Sequence, residues 1–260
     1  MPDGPKPLRV VWSITRSLLT VRAPRPHGSG SVDHERLRSP LHDIDADGTG
    51  ALAYLDGDLR TYTHELRAVE PDQLTRDEAL AFWINLYNAC ALILAGVAQR
   101  NGDNSVLRVP GGFQRPVIEV AGERLSLDDI EHAKLRRFGD PRIHAALVCG
   151  SVSCPTLRRE PYTGPGLTDQ LDEQLTYFLA SGGSQVDRDQ ALVTLSRVFL
   201  WFGGDFVRPR RMPTFLPARR SSILASLLPW MDAGVGEWVE LASPRIEFGR
   251  YDWGLRCAVR

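Results

Sequence analysis

ALAFWINLYNACALILAGV, residues 79–97, is the stretch that decides the fold. It carries no charged residue and is long enough to span a bilayer. Asn85 and Asn88 lie in its middle, however, where a lone helix in lipid would leave both amides unpaired. Upstream, Thr75 and Glu78 have the spacing of a capping box, which is typical of a helix that begins inside a globular protein. We therefore predict a buried central helix that opens at Thr75, and no membrane span.

The two asparagines are three residues apart and therefore neighbours on one side of that helix. Amides in so apolar a helix must find partners. In one interpretation, Asn85 and Asn88 bond loop backbone and fix the fold. In the other, one of them donates to a reacting oxyanion or orients a histidine.

Outward from the helix, strand and helix patterns interleave, which predicts a mixed α/β (α+β) fold with a small central sheet packed against the long helix. Strands are predicted at residues 106–109, 116–120, 143–149, 192–195 and 246–253, and further helices at 58–68, 126–138, 167–180, 196–202 and 223–230.

A single domain is predicted over residues 46–260, preceded by an irregular N-terminal arm over residues 1–45. A short helix near residues 10–20 could lie within the arm. The run at 43–50 resembles a calcium loop but has Tyr54 at the position that needs a glutamate, so we interpret it as a turn. A basic, proline-rich connector at 208–220 is interpreted as surface loop, with an anion grip as the alternative.

Composition limits the function classes. The chain is 43% hydrophobic and 24% charged with a net charge of −1, so no basic field draws it to nucleic acid or anionic lipid. The N-terminal apolar run is too short for a signal peptide, which favours a soluble, cytoplasmic protein. Its four cysteines should then be reduced thiols.

The candidate chemistry lies in DPRIHAALVCGSVSCP, residues 140–155. If residues 143–149 form a strand, Cys149 lies on its apolar face, opposite His144, and is interpreted as a core residue. Cys154 follows in a loop, directly before Pro155. A proline there can open a helix, whose N-terminus would lower the pKa of the Cys154 thiol.

Thiol catalysis needs a thiolate, a base and a group that orients the base. Candidate bases are His144 and His132, the latter beside Glu131, and Asp140 is a candidate orienting group. Backbone N–H groups near Ser153 and Cys154 are candidates to hold an oxyanion. Arg142 completes the candidate binding residues, together with Asn85, Asn88 and Ser153.

A zinc site from Cys149, Cys154, His144 and His132 is a weaker alternative, since no second close pair exists and the strand would split the ligands between two faces. A redox pair is also weak, because the spacing is not Cys-x-x-Cys. We therefore expect no metal and no cofactor.

Five blocks in order resemble the family called domain of unknown function 547, over about residues 54–256. Gly254 and Arg256 replace the usual Ser and Asn of its C-terminal block, and Phe202 stands where a tyrosine is usual. The blocks are FWINLYNA (82–89), SLDDIEHAKLR (126–136), DPRIHAALVCGSVSCPTLR (140–158), LSRVFLWFGGDF (195–206) and YDWGLR (251–256).

That family is distantly similar to papain- and transglutaminase-like thiol enzymes. The resemblance implies Cys154 as nucleophile with His144 or His132 as base, in a permuted order because both histidines precede the cysteine. It points to a thiol-dependent hydrolase or acyltransferase acting on an amide or thioester of a small molecule or peptide. The alternative is a non-catalytic binding or scaffold domain with structural His144 and Cys154, serving a protein partner.

Overall fold

The computed structural model describes residues 7–213 and 217–260, so the start of the N-terminal arm and part of the 208–220 connector lie outside the described residues. Over these ranges the protein is a mixed α+β fold, as predicted. Its α-helices are α1 (Pro7–Thr20), α2 (Arg38–Asp47), α3 (Asp56–Leu66), α4 (Arg76–Arg100), α5 (Leu127–Asp129), α6 (Ile143–Ala146), α7 (Leu167–Phe178), α8 (Arg197–Val207), α9 (Arg220–Leu227) and α10 (Val235–Ala242).

Helix α4 is the centre of the larger hydrophobic core, as its sequence predicts. The side chain of Thr75 accepts a hydrogen bond from the Glu78 N–H and caps the helix. Nearly its whole length is buried, including Phe82 and Leu86. Among the described residues, α4 is also the one helix long and apolar enough to cross a membrane, and 89% of its most apolar window is buried inside the protein.

Two small sheets accompany the helices. Strands β1 (Ile118–Val120) and β2 (Glu123–Leu125) form an antiparallel hairpin. In the other sheet, β4 (Leu192–Leu195) lies between β3 (Ser184–Asp187), to which it is antiparallel, and β5 (Arg245–Phe248), to which it is parallel. Val193 and Leu195 of β4 join residues of α7, α8 and α9 in a second core cluster.

The strand predicted at residues 143–149 is wrong. Residues 143–146 form the single turn α6, and the chain is extended from Leu147. A short apolar run fits a buried helical turn as well as a strand. Asn88 decides the matter, because its side chain donates to Ala146 O at 3.0 Å and accepts the Val148 N–H at 2.9 Å. With those partners supplied, this segment needs no neighbouring strand.

Other boundaries also differ. Residues 106–108 form a 3₁₀ turn rather than a strand, and the final strand is limited to β5, which ends at Phe248. In the described part of the N-terminal arm, α1 covers the short helix predicted near residues 10–20, and residues 21–34 form no helix or strand apart from an isolated bridge at Gly30. Leu41 and Ile44 of α2 are buried in the larger core, so the run at 43–50 begins in a helix rather than in a turn.

Candidate functional site

The loop that carries the two cysteines is held by the C-terminal segment of the chain. The Val152 N–H donates to Gly254 O at 2.9 Å, and the Ser153 N–H donates to Asp252 O at 3.2 Å. Gly150 turns the loop with a φ of +77°, and a Cβ at this position would lie 3.2 Å from the Ala95 Cβ of α4. A glycine is therefore required for both the conformation and the close approach.

Cys149 lies where hydrogen-bond donors converge. Its Sγ is 3.1 Å from Ser151 Oγ and 3.4 Å from Tyr251 Oη, and these two hydroxyls are 2.8 Å apart. The Ser151 N–H and the Cys154 thiol also donate to the Cys149 sulfur. The residue is partly exposed, so its prediction as a core residue is wrong. We name this set of donors the thiolate cradle.

The thiolate cradle shifts the pKa values of the two cysteines in opposite directions. Hydrogen bonds from Cys154, and then from Ser151 and Tyr251, lower the pKa of Cys149 to about 6 against the opposing effect of burial. Burial raises the pKa of Cys154 well above its ordinary value, and the neighbouring Cys149 raises it further. The surroundings therefore favour the thiolate form of Cys149 and the thiol form of Cys154.

Cys154 does not lie at a helix N-terminus, because the next helix, α7, begins only at Leu167. Instead, its sulfur accepts the Cys149 N–H at 2.9 Å, and Leu147 O, 3.7 Å from the sulfur, is a second acceptor for its S–H. The Ser153 N–H donates to Asp252 O and the Cys154 N–H to Ser151 O. Both N–H groups predicted to hold an oxyanion are thus already engaged.

His144 belongs to a second, buried polar cluster. Its Nε2 lies 3.0 Å from Asp205 Oδ2, and Arg136 grips the same carboxylate with two hydrogen bonds of 2.7 and 2.9 Å. The imidazole stacks on Phe202 with ring centroids 4.0 Å apart. Burial lowers the pKa of His144. Burial alone would raise the pKa of Asp205, but the bonds from His144 and Arg136 bring it well below its ordinary value.

Asp140 and Arg142, two further predicted site residues, pair with each other. Arg142 Nη2 donates to Asp140 Oδ2 at 2.7 Å, and its Nη1 donates to Asp172 at 2.8 Å. Asp205, and not Asp140, therefore makes the hydrogen bond that orients His144. Asp140 and Arg142 line a cavity of about 320 Å³ with Arg76 and Trp230. Neither Cys149 nor Cys154 lines this cavity. We therefore place the candidate site at the thiolate cradle, on the basis of its hydrogen bonds, and not at the cavity.

Glu131 and His132 lie in a π-helical turn, residues 130–134, that follows α5. Such turns are frequent at functional sites. Tyr87 donates to Glu131 Oε2 at 3.2 Å, and burial raises the pKa of Glu131 to about 7. The Nδ1 of His132 is buried without a hydrogen bond among the described residues, and burial lowers the pKa of this histidine well below its ordinary value.

The predicted site residues thus form separate groups. Within the part of the chain that the structure describes, no hydrogen bond joins His144 or His132 to a cysteine sulfur. Those same residues contain no group of three or more His, Cys, Asp or Glu side chains that could hold a metal ion.

Two residues of the site are not among the predicted ones. Asp205 and Tyr251 both lie in motif blocks but were not singled out. A carboxylate in the apolar sequence FLWFGGDF was the available signal for Asp205, since a buried charge needs a partner. No local signal in the sequence points to the contact between Tyr251 and Cys149.

Asn85 and Asn88 provide a matched test of how α4 supports the cysteine loop. Asn88 braces the segment before Cys149, whereas Asn85 makes the same pair of backbone bonds to Tyr162, at 2.8 and 3.0 Å. We expect each Asn→Ala variant to lose roughly 2–4 kcal/mol of stability, because two buried backbone groups lose their partners. Only Asn88→Ala should also slow alkylation of Cys149.

The measurements are urea unfolding and the rate of iodoacetamide labelling located by peptide mass spectrometry. Equal labelling rates in the two variants would show that Asn88 does not position the cysteine loop.

Comparison with known proteins gives one result that bears on the site. Residues 71–179 match the family model described as "Protein of unknown function, DUF547". The predicted resemblance is thereby confirmed over this range, which contains Asn85, Asn88, both histidines and both cysteines of the candidate site. No curated protein and no solved structure matches the chain.

Proposed function

We propose that this protein, whose residues 71–179 match the family described as protein of unknown function DUF547, is a thiol-dependent acyl-transfer enzyme that acts on thioesters. Cys149 is the attacking sulfur in this proposal. The sequence favoured Cys154 as nucleophile, and the hydrogen bonds of the thiolate cradle are the reason for assigning the attack to its neighbour.

The thiolate cradle is the single observation that carries the proposal. A thiolate, and not a thiol, is the nucleophile, and a lowered pKa in a partly exposed position marks a reactive cysteine. The donors on Cys149 Sγ lower its pKa to about 6, so no histidine is needed to remove its proton at neutral pH. This accounts for a reactive sulfur that lies outside hydrogen-bond reach of both imidazoles.

The reaction begins with attack of the Cys149 thiolate on the carbonyl carbon of the substrate. A new carbon–sulfur bond forms, the bond to the leaving group breaks, and a thiolate leaves with the electron pair. Water or another acceptor then attacks the acyl carbon, loses its proton to solvent and releases Cys149 as thiolate. Hydrolysis and transfer differ only in that acceptor.

A thioester suits this site better than an amide. An amine leaving group must be protonated as it departs, which requires an acid at the nitrogen. His144 is instead bound to Asp205 at 3.0 Å, and its pKa is lowered by burial. A leaving thiolate with a pKa of about 8.5 needs no such acid.

The pH dependence of alkylation tests the proposal. We expect the rate of iodoacetamide labelling at Cys149 to rise from pH 5 and reach half its plateau near pH 6, because the thiolate forms there. Cys154→Ala should raise that midpoint, since it removes the thiol that is the largest cause of the low pKa. Buried Cys90 and Cys257 should stay unlabelled and serve as internal controls.

A midpoint at Cys149 no lower than about 8.5, the value of an ordinary thiol, would defeat the proposal. It would favour the second candidate, a non-catalytic binding domain. The observation behind that candidate is that His144 and Arg136 are buried and both bind Asp205, whose side chain is 14% exposed. A cytoplasmic location belongs to the proposal as well, because a reducing compartment keeps Cys149 and Cys154 as thiols.

A further inference from the structure

Three aromatic side chains cluster beside the thiolate cradle. The ring centroids of Tyr251 and Trp253 are 4.4 Å apart, those of Trp201 and Tyr251 are 4.9 Å apart, and those of Trp201 and Trp253 are 5.7 Å apart. Trp201 comes from α8, while Tyr251 and Trp253 come from the C-terminal segment that holds the cysteine loop. We name these three residues the aromatic platform.

The aromatic platform extends from the protein surface to the sulfur of Cys149. Trp201 is 42% exposed, and at the other end of the cluster Tyr251 Oη lies 3.4 Å from Cys149 Sγ. Leu200, next to Trp201 on α8, and Val152, in the cysteine loop, are also exposed, by 43% and 40%. Large apolar side chains are therefore partly exposed on α8 and in the cysteine loop.

The contact between α8 and His144 does not use Trp201. Phe202, the residue after Trp201, is turned inward and stacks on His144, so α8 already has an aromatic side chain that serves the buried cluster. Exposed clusters of large apolar side chains are typical of binding sites. Rings held against one another are also rigid, so that binding a ligand to them costs little conformational entropy.

We propose that the aromatic platform binds the acyl group of the substrate and that this acyl group carries an aromatic ring. The inference rests on the proposed function and adds the substrate class to it. The acyl group is the part that stays attached to Cys149 after the leaving group departs. The platform touches that sulfur through Tyr251 and is thus placed to hold the acyl group during both steps of transfer.

Two probes with the same reactive group test the inference. Iodoacetamide and N-benzyliodoacetamide differ by one aromatic ring, and the ratio of their labelling rates at Cys149 is compared with the ratio for glutathione. We expect the rate ratio of the benzyl probe to iodoacetamide at Cys149 to exceed the same ratio for glutathione by about three- to ten-fold, as one aromatic contact allows. Trp201→Ala should bring the ratio close to that of glutathione, and Trp201→Phe should retain most of the preference.

Trp12→Ala is the matched control, because Trp12 is 64% exposed and lies on α1 rather than at the platform. It should leave the ratio unchanged. A wild-type ratio equal to that of glutathione, or a preference that survives Trp201→Ala, overturns the aromatic platform as the acyl site and leaves the proposed function standing. Failure of Cys149 to react faster than a free thiol with iodoacetamide itself defeats the proposed function, so the two failures are distinguishable.

Discussion

Replacing Cys149 with serine should abolish acyl transfer, with kcat/KM falling by about 10³-fold or more. The reason is that a serine hydroxyl stays protonated at neutral pH, whereas the thiolate cradle keeps the sulfur of Cys149 ionised. Cys154→Ser should cost about ten-fold or less, because a serine hydroxyl can still donate a hydrogen bond to the attacking sulfur. The measurement is release of thiophenol from an aryl thioester such as S-phenyl thiobenzoate.

The two cysteine variants are each other's control, because Cys149 and Cys154 lie in one loop and exchange hydrogen bonds. A general loss of fold would affect both variants alike. The reverse order, with Cys154→Ser inactive and Cys149→Ser active, would move the attacking role to Cys154, as the sequence favoured.

Removing the carboxylate of Asp205 should have the largest effect on stability. The side chains of His144 and Arg136 that it binds are only 2% and 3% exposed. Asp205→Ala leaves the Arg136 charge buried without this partner, and removing one member of a buried pair costs about 3–5 kcal/mol. Asp205→Asn should cost less, because the amide oxygen can still accept one of the bonds. Urea unfolding at pH 7 measures both losses.

An exposed ion pair provides the comparison. Arg76 and Asp77 are 3.3 Å apart with side chains about half exposed, so Asp77→Ala should cost no more than about 1 kcal/mol. If Asp205→Ala were no more destabilising than Asp77→Ala, the cluster around His144 would not be the internal support of the site that we describe.

The long central helix was easier to predict from the sequence than the short strands and turns. α4 was predictable because its cap at Thr75 and its apolar length are local properties. The segment at residues 143–149 was not, because its conformation depends on Asn88, which supplies the bonds that a neighbouring strand would have made. A hydrogen-bonding partner some 60 residues away leaves no mark on the local pattern of hydrophobicity.

The location of the candidate site was predictable from the sequence, whereas the roles of its individual residues were not. Two cysteines around Gly150 mark the loop in the sequence, but the groups that lower the pKa of Cys149 include Tyr251, which lies 102 residues further along the chain. The strand predicted at residues 143–149 placed the Cys149 side chain in the core. This placement failed together with the strand, because both overlooked the hydrogen bonds from Asn88. His144 is bound by Asp205, which lies 61 residues away in the sequence, whereas Asp140 pairs with Arg142, two residues from it.

The most direct test of the account is to trap the acyl group on the protein. The protein is mixed with S-phenyl thiobenzoate, quenched in acid within the first turnover, and analysed by intact and peptide mass spectrometry. We predict one benzoyl adduct, located on Cys149 and absent from the Cys149→Ser variant. No adduct under these conditions, or an adduct on another residue with Cys149 unmodified, would contradict the claim that Cys149 is the acyl-accepting thiolate.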